Sequence, residues 1–280
     1  MDSEKSVAII GAGTMGKSIA SLCCLHFTTI LADNNKEILD NARTEIHKYI
    51  DHQYHKERIT ESQKNTAKYN IKITDSLAKI KADIIIEAVK EDYESKIALY
   101  KIVATHNPDS IILTNTSSLS ITKLGKFILH PQRFAGLHFF NPATVMKLVE
   151  LVIQDKTNEY TIKQVQEFCS IIKKTTIICK DSSGFVVNRV ARAYYTESLQ
   201  SAALGEQIQN IDESLQNIGF PMGAFRLMDL IGQDINFAVT TSLFEQMFFE
   251  PRFRPSIIQQ KLVDSGKLGR KTKSGFYNYD

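Results

Sequence analysis

The sequence predicts an α/β protein: a doubly wound, mostly parallel sheet followed by a second, smaller all-helical domain. Three observations predict it. Short apolar runs alternate with amphipathic stretches as far as Cys179, the pattern of strands laid between helices. The first run, Val7-Ala8-Ile9-Ile10, feeds glycines spaced G-x-G-x-x-G at Gly11, Gly13 and Gly16. After Lys180-Asp181-Ser182-Ser183-Gly184 clear strand signals stop and helical periodicity takes over.

The glycine run has a physical reading. Gly11 lets the chain turn sharply off the strand, Gly13 lets a pyrophosphate approach the backbone, and Gly16 lets the following helix pack close. The loop Gly11-Ala12-Gly13-Thr14-Met15-Gly16 then presents a helix N-terminus to phosphates. A second apolar run, Thr28 to Ala32, ends at Asp33, about 20 residues on, where a Rossmann fold places its ribose-binding acid. An acid there accepts from ribose hydroxyls and repels a 2′-phosphate, which points to NAD rather than NADP. Lys36 nearby argues mildly the other way.

In chain order, a polar helix or helical hairpin is expected after the second strand, about 37–68. Ile71 to Thr74 and Ala82 to Val89 read as strands, the latter apolar enough to be central in a parallel sheet. Ser95 to Thr105 reads as helix and Ser110 to Thr114 as strand, emptying into Asn115-Thr116-Ser117-Ser118. Strands follow at Phe134 to Phe139, Lys147 to Val152 and Thr176 to Cys179, with a helix at Glu159 to Lys173. The domains are therefore 1–182 and 183–280. Helices in the second are expected at Arg189 to Ala203, Asn210 to Ile218, Arg226 to Phe249 (broken near Gly232) and Ile257 to Ser265, and Phe276 to Tyr279 suggests a last strand.

Composition excludes several classes. The 280 residues are 43% hydrophobic and 23% charged, values of a soluble globular protein. No apolar run approaches the ~20 residues of a membrane helix. The polar start, Met1 to Lys5, has no signal-peptide pattern, so the expected compartment is the cytoplasm. The net charge of +3 is mild and its cations are scattered, which does not argue for nucleic acid. Cys23, Cys24, Cys169 and Cys179 lack metal-site spacing and read as reduced apolar residues. No metal is expected.

Chemistry points to His138-Phe139-Phe140-Asn141-Pro142, with Glu150 on the next strand. Oxidising an alcohol by hydride transfer needs a base for the hydroxyl proton, and histidine titrates near neutrality. A carboxylate on the other ring nitrogen fixes the tautomer. His138 and Glu150 could meet in this way, or be a core histidine and a solvated acid. Ser117, at a strand mouth, faces the ligand crevice of a doubly wound sheet, or is an ordinary turn serine. Asn188, opening the helix after the domain boundary, could donate to a substrate oxygen or cap its helix.

These motifs occur in one order with Glu87-Ala88-Val89-x-Glu91, Val187-Asn188-Arg189, Pro221-Met222-Gly223 and Gly275-Phe276-Tyr277. Together they resemble the L-3-hydroxyacyl-CoA dehydrogenase family over nearly the whole chain. The resemblance implies reversible NAD-dependent oxidation of an L-3-hydroxyacyl-CoA to the 3-ketoacyl-CoA, a step of fatty-acid β-oxidation. It implies an acyl-CoA partner and a homodimer formed through the helical domain. His138 would be the base and Glu150 its partner, with Ser117 and Asn188 at the reacting oxygen. Asp33, Glu91, Lys96, Ser117, Asn141 and Lys271 would serve the cofactor. Lys56 and Arg58 fall near the place of a CoA-phosphate lysine, or form a solvated face. Ser183 stands where the family usually has proline. Ala224 and Arg226 replace a proline and an acid, which bears on dimer contacts or substrate fit. Two further readings stay open: a dehydrogenase of a free hydroxy acid or sugar acid, and a non-catalytic nucleotide-binding relative.

Overall fold

In the computed structural model, which describes residues 5–280, the chain forms two compact units, divided between Ser182 and Ser183. In the first, β1 (Ser6–Ile10) passes through the glycine turn into α1 (Thr14–Cys23) and on to β2 (Thr28–Ala32). A helical hairpin follows, α2 (Lys36–His55) and α3 (Glu61–Asn70). Both helices begin at side-chain caps: Asn35 accepts from Ile38 N, and Thr60 and Gln63 form a reciprocal capping box. Then come β3 (Ile71–Thr74), β4 (Ile84–Glu87), α4 (Tyr93–His106), β5 (Ile111–Thr114), a five-residue α5 (Ile121–Gly125), β6 (Phe134–Phe139), β7 (Leu148–Ile153), α6 (Glu159–Ile171) and β8 (Thr175–Lys180).

The strands make one sheet in the order β3-β2-β1-β4-β5-β6-β7-β8. Neighbours from β3 through to β6 run parallel, β7 is antiparallel to β6, and β8 is parallel to β7. The chain leaves β1 for β2 on one side and later returns to β4 on the other. The carboxyl ends of β1 and β4 thus frame the switch point where such sheets bind ligands. Burial explains why these strands are central. Ile9, Ile86 and Leu113 are fully buried, as strands covered on both faces require. Each such side chain stabilises the sheet by about 1.5–3 kcal/mol.

The second unit contains α7 (Val187–Ala203), α8 (Ile208–Asn217), α9 (Ala224–Ile231), α10 (Gln233–Gln246) and α11 (Ile257–Asp264). Tyr195, Leu199, Phe225 and Met228 form its core, with Phe276 packed against them. The expected strand at Phe276 to Tyr279 is not one. This stretch makes only an isolated bridge, Ser274 to Asn278. Two of its backbone donors go instead to the buried Asp229 carboxylate, from Phe276 N at 3.0 Å and Tyr277 N at 2.9 Å. Asp212, also buried, accepts from Phe225 N and Arg226 N at the start of α9 and from the Tyr277 hydroxyl. Arg226 lies over the Tyr277 ring, 4.4 Å from its centre, a cation–π contact of about 0.5–1 kcal/mol where exposed.

Candidate active site

The glycine turn separates two kinds of need. Gly11 has φ +101°, and a Cβ there would sit 2.5 Å from the Ala88 carbonyl oxygen. A Cβ on Gly16 would sit 1.7 Å from the Gly11 carbonyl oxygen. The fold itself demands both glycines. Gly13 differs: it is exposed, its φ is −66°, and a Cβ would meet nothing within 4 Å. Nothing among the described residues fills the space beside its bare backbone. No side chain caps α1 at Gly13, so orphan N–H groups of Thr14, Met15 and the rest of the first turn face that open space. The Asp33 carboxylate braces the turn, accepting from Ala12 N at 2.8 Å and from Asn35 N at 3.0 Å. These residues fit a dinucleotide pyrophosphate with its ribose near Asp33.

The end of β4 holds a buried acid that the sequence reading gave no role. Glu87 is inaccessible to solvent and accepts from Lys96 Nζ at 2.6 Å, Tyr100 Oη at 2.7 Å, Thr114 Oγ1 at 2.8 Å and Val89 N at 2.8 Å. Its signal was an acid closing an otherwise apolar strand. Lys96, expected to serve the cofactor, is itself buried and lies between Glu87 and Glu91, 3.5 Å from the latter. Glu91 organises the loop after β5. It accepts from the Thr116 hydroxyl, from Ser117 N at 2.8 Å, from Ser118 N at 3.1 Å and from Ser118 Oγ at 3.0 Å. Burial alone would raise the Glu91 pKa, but these donors and Lys96 hold it below the usual value.

Ser117 therefore sits in a fixed loop at the carboxyl end of β5. The same loop reaches β6, because Asn115 Oδ1 accepts from Phe139 N at 2.9 Å. On β6, His138 pairs in register with Glu150 of β7. His138 Nδ1 lies 2.7 Å from Glu150 Oε2, with the histidine 6% exposed and the acid 0%. The antiparallel step creates this pair, since it sets the two side chains on one face directly opposite each other. Phe140 packs on the imidazole at 4.6 Å between ring centres. Asn141 follows on an exposed loop.

The remaining expected residues lie elsewhere. Lys56 ends α2 and Arg58 follows it, both exposed at the hairpin turn. Arg58 helps line a cavity of about 430 Å³ with His55, Thr60 and Gln63. In the helical unit, Asn188 is the second residue of α7, whose cap is Val186, so it is not the helix-capping residue. Lys271 pairs with Asp234 at 2.6 and 2.7 Å. Among the described residues no group of acids, histidines and cysteines is placed to hold a metal. The four cysteines are free and buried, and burial pushes Cys24, Cys169 and Cys179 up to about 12.

Residues 6–182 match the model of the 3-hydroxyacyl-CoA dehydrogenase NAD binding domain, and residues 184–279 match that of the C-terminal domain. The chain belongs to the 3-hydroxyacyl-CoA dehydrogenase family. Its first unit is this family's NAD-binding domain. The whole chain is 43% identical to an Escherichia coli 3-hydroxyadipyl-CoA dehydrogenase and spans 60% of that longer protein. It is 38% identical to a probable 3-hydroxyacyl-CoA dehydrogenase of Caenorhabditis elegans, covering 100% of this chain and 97% of the other. The crystal structure of (S)-3-hydroxybutyryl-CoA dehydrogenase from Ralstonia eutropha superposes with a TM-score of 0.93 at 35% identity, covering 99% of this chain and 100% of that one. No helix among the described residues is long and apolar enough to cross a membrane.

Proposed function

We propose that this chain catalyses the reversible, NAD-dependent oxidation of L-3-hydroxyacyl-CoA to 3-ketoacyl-CoA. The observation that carries the reading is the buried His138–Glu150 pair, 2.7 Å apart, on the sheet that bears the nucleotide turn. Held at the glycine turn Gly11 to Gly16, NAD would supply the hydride acceptor for C3 of the substrate. His138 does the proton work. With Nδ1 turned to Glu150, its Nε2 is the nitrogen that takes the 3-hydroxyl proton. Glu150 holds the tautomer and offsets the imidazolium charge that results. Ser117 and Asn188 steady the reacting oxygen.

Gly11 to Gly16 take the pyrophosphate and Asp33 the ribose, while Glu91, Lys96, Asn141 and Lys271 complete the cofactor's surroundings. Here Lys96 acts through the two carboxylates it bridges. Lys56 and Arg58 bind the CoA phosphates from the hairpin. The protein works in the cytoplasm as a homodimer through its helical unit, whose exposed Ile235 and Phe248 are the kind of apolar surface an obligate interface covers.

The test is NADH consumption by the purified chain with acetoacetyl-CoA, with free acetoacetate and with NADPH in place of NADH. Turnover of the thioester with NADH is the expected result. Faster turnover of the free acid would move the assignment to a hydroxy-acid dehydrogenase.

A further inference from the structure

The loop 140–147 joins the histidine strand β6 to the glutamate strand β7. Pro142 O accepts from both Val145 N and Met146 N, so the loop folds back on itself as a tight turn. That turn leaves the carbonyls of Ala143 and Met146 for Lys174, which comes from the connection between α6 and β8. Lys174 Nζ donates to Ala143 O at 2.5 Å and to Met146 O at 2.7 Å. The next residue anchors the same loop, Thr175 N donating to Lys147 O at 2.9 Å. A further bond comes from α1, the helix that opens at the glycine turn: Thr144 N donates to Ser18 Oγ at 3.3 Å.

Lys174 is 9% exposed, and among the described residues no carboxylate pairs with it. Burial holds its pKa below the ordinary lysine value. An ammonium taken out of water and given only carbonyls is costly to keep. An apolar side chain of the same length would avoid that cost but would leave two backbone acceptors without donors. What the lysine secures is the path of this loop.

We infer that Lys174, with Ser18, is a positioning residue for the cofactor side of the site: together they tie loop 140–147 to the α6–β8 connection and to α1 and so set where Asn141 stands relative to the glycine turn. The inference rests on the reading of Asn141 as a nicotinamide-dinucleotide contact. It names no new catalytic group. Lys174 acts through the loop backbone and touches neither His138 nor Glu150 directly.

The test uses the full chain and reads the two ligands separately. NADH affinity is taken from the fluorescence of bound NADH with no acyl-CoA present, and acetoacetyl-CoA affinity from calorimetry. Lys174→Met is expected to weaken NADH about tenfold, and Ser18→Ala about threefold, on the scale of one or two lost hydrogen bonds. Acetoacetyl-CoA affinity should stay within about twofold, because a role in general folding would lower both together. Unchanged NADH affinity in folded Lys174→Met, or parallel loss of both ligands, overturns the inference. If Lys174→Met does not fold, Ser18→Ala decides alone, and unchanged NADH affinity there has the same consequence. Failure of the wild-type chain to turn over any acyl-CoA would sink the proposed activity but leave the NADH measurement intact.

Discussion

His138 and Glu150 are cross-strand partners at the antiparallel step of an otherwise largely parallel sheet, Nδ1 to Oε2 2.7 Å. Backbone register, and not a flexible loop, fixes the distance between base and carboxylate. His138→Gln removes the proton acceptor and should lower kcat by ~10²–10⁴. Glu150→Gln leaves an acceptor and a donor of similar shape but no charge, and should lower kcat by at least ~10². Both should bind NADH normally by fluorescence titration. Near-normal turnover in His138→Gln would show that another group takes the proton.

Gly13 and Gly16 of the turn should separate in mutagenesis. Gly16→Ala drives a Cβ to 1.7 Å from a backbone oxygen, and neither atom is the end of a flexible side chain. We expect insoluble protein or a drop in Tm of more than about 10 °C. The Cβ of Gly13→Val meets nothing within 4 Å, so its Tm should stay within about 2 °C of the parent. Its β-branched side chain would occupy the room assigned to the pyrophosphate, and NADH should bind at least about tenfold more weakly. Calorimetric melting and NADH titration of the two variants check both halves.

What the sequence made legible follows from periodicity. β2 and β3 fall on the residues their apolar runs mark, and the hairpin α2–α3 lies where a polar helical stretch was read. Chemistry alone offers His138 and Glu150 either as a pair or as a core histidine and a solvated acid, and the register of β6 with β7 brings them together. The five-residue α5 left no trace, because one turn is too short to show a 3.6-residue repeat. The tail misled, because Phe276-Tyr277-Asn278-Tyr279 has strand composition but a buried acid, Asp229, as its partner. Glu87, Lys96 and Lys174 were hard to read for a common reason. Their roles come from being buried against distant polar groups, and a charged residue in sequence looks like a solvated one.

Glu91 gives the loop at Ser117 its pH dependence. Its pKa is held below the ordinary glutamate value of ~4.3 despite burial, by the donors of Thr116, Ser117 and Ser118 and by Lys96. A depressed folded-state value means the stabilisation is present above the unfolded pKa and is lost as pH falls through the lowered value. Urea midpoints of the parent and of Glu91→Gln should therefore differ at pH 6 and converge as pH drops below ~4. At neutral pH Glu91→Gln should also weaken NADH roughly tenfold, the scale of one charge-assisted hydrogen bond. A constant offset in midpoint from pH 6 to 3 would show that the difference does not come from the charge of Glu91.

Asp229 ties the chain's end to the helical unit, and this clamp should fail at the opposite extreme of pH. Its carboxylate accepts from Gln233 Nε2 at 2.7 Å, Phe276 N at 3.0 Å, Tyr277 N at 2.9 Å and Tyr279 Oη at 2.9 Å. Gly275 lies so close that a Cβ there would stand 2.0 Å from Asp229 Oδ1. Asp229→Ala leaves one buried donor, Gln233 Nε2, and three part-buried ones without an acceptor and should cost about 3–5 kcal/mol of unfolding free energy. Truncation after Leu268 removes most of those donors, so the two changes combined should cost clearly less than their sum. Burial, then the hydrogen bond and charge of Asp229, raise the Tyr279 phenol to about 12. A raised folded-state value means the phenol's contribution is full below the unfolded pKa of ~10 and is lost as pH rises through about 12. Tyr279→Phe should therefore lower the urea midpoint at pH 8 and matter less and less above pH ~11. Additive losses in the Asp229 double-mutant cycle would show that the tail and the acid stabilise the unit independently.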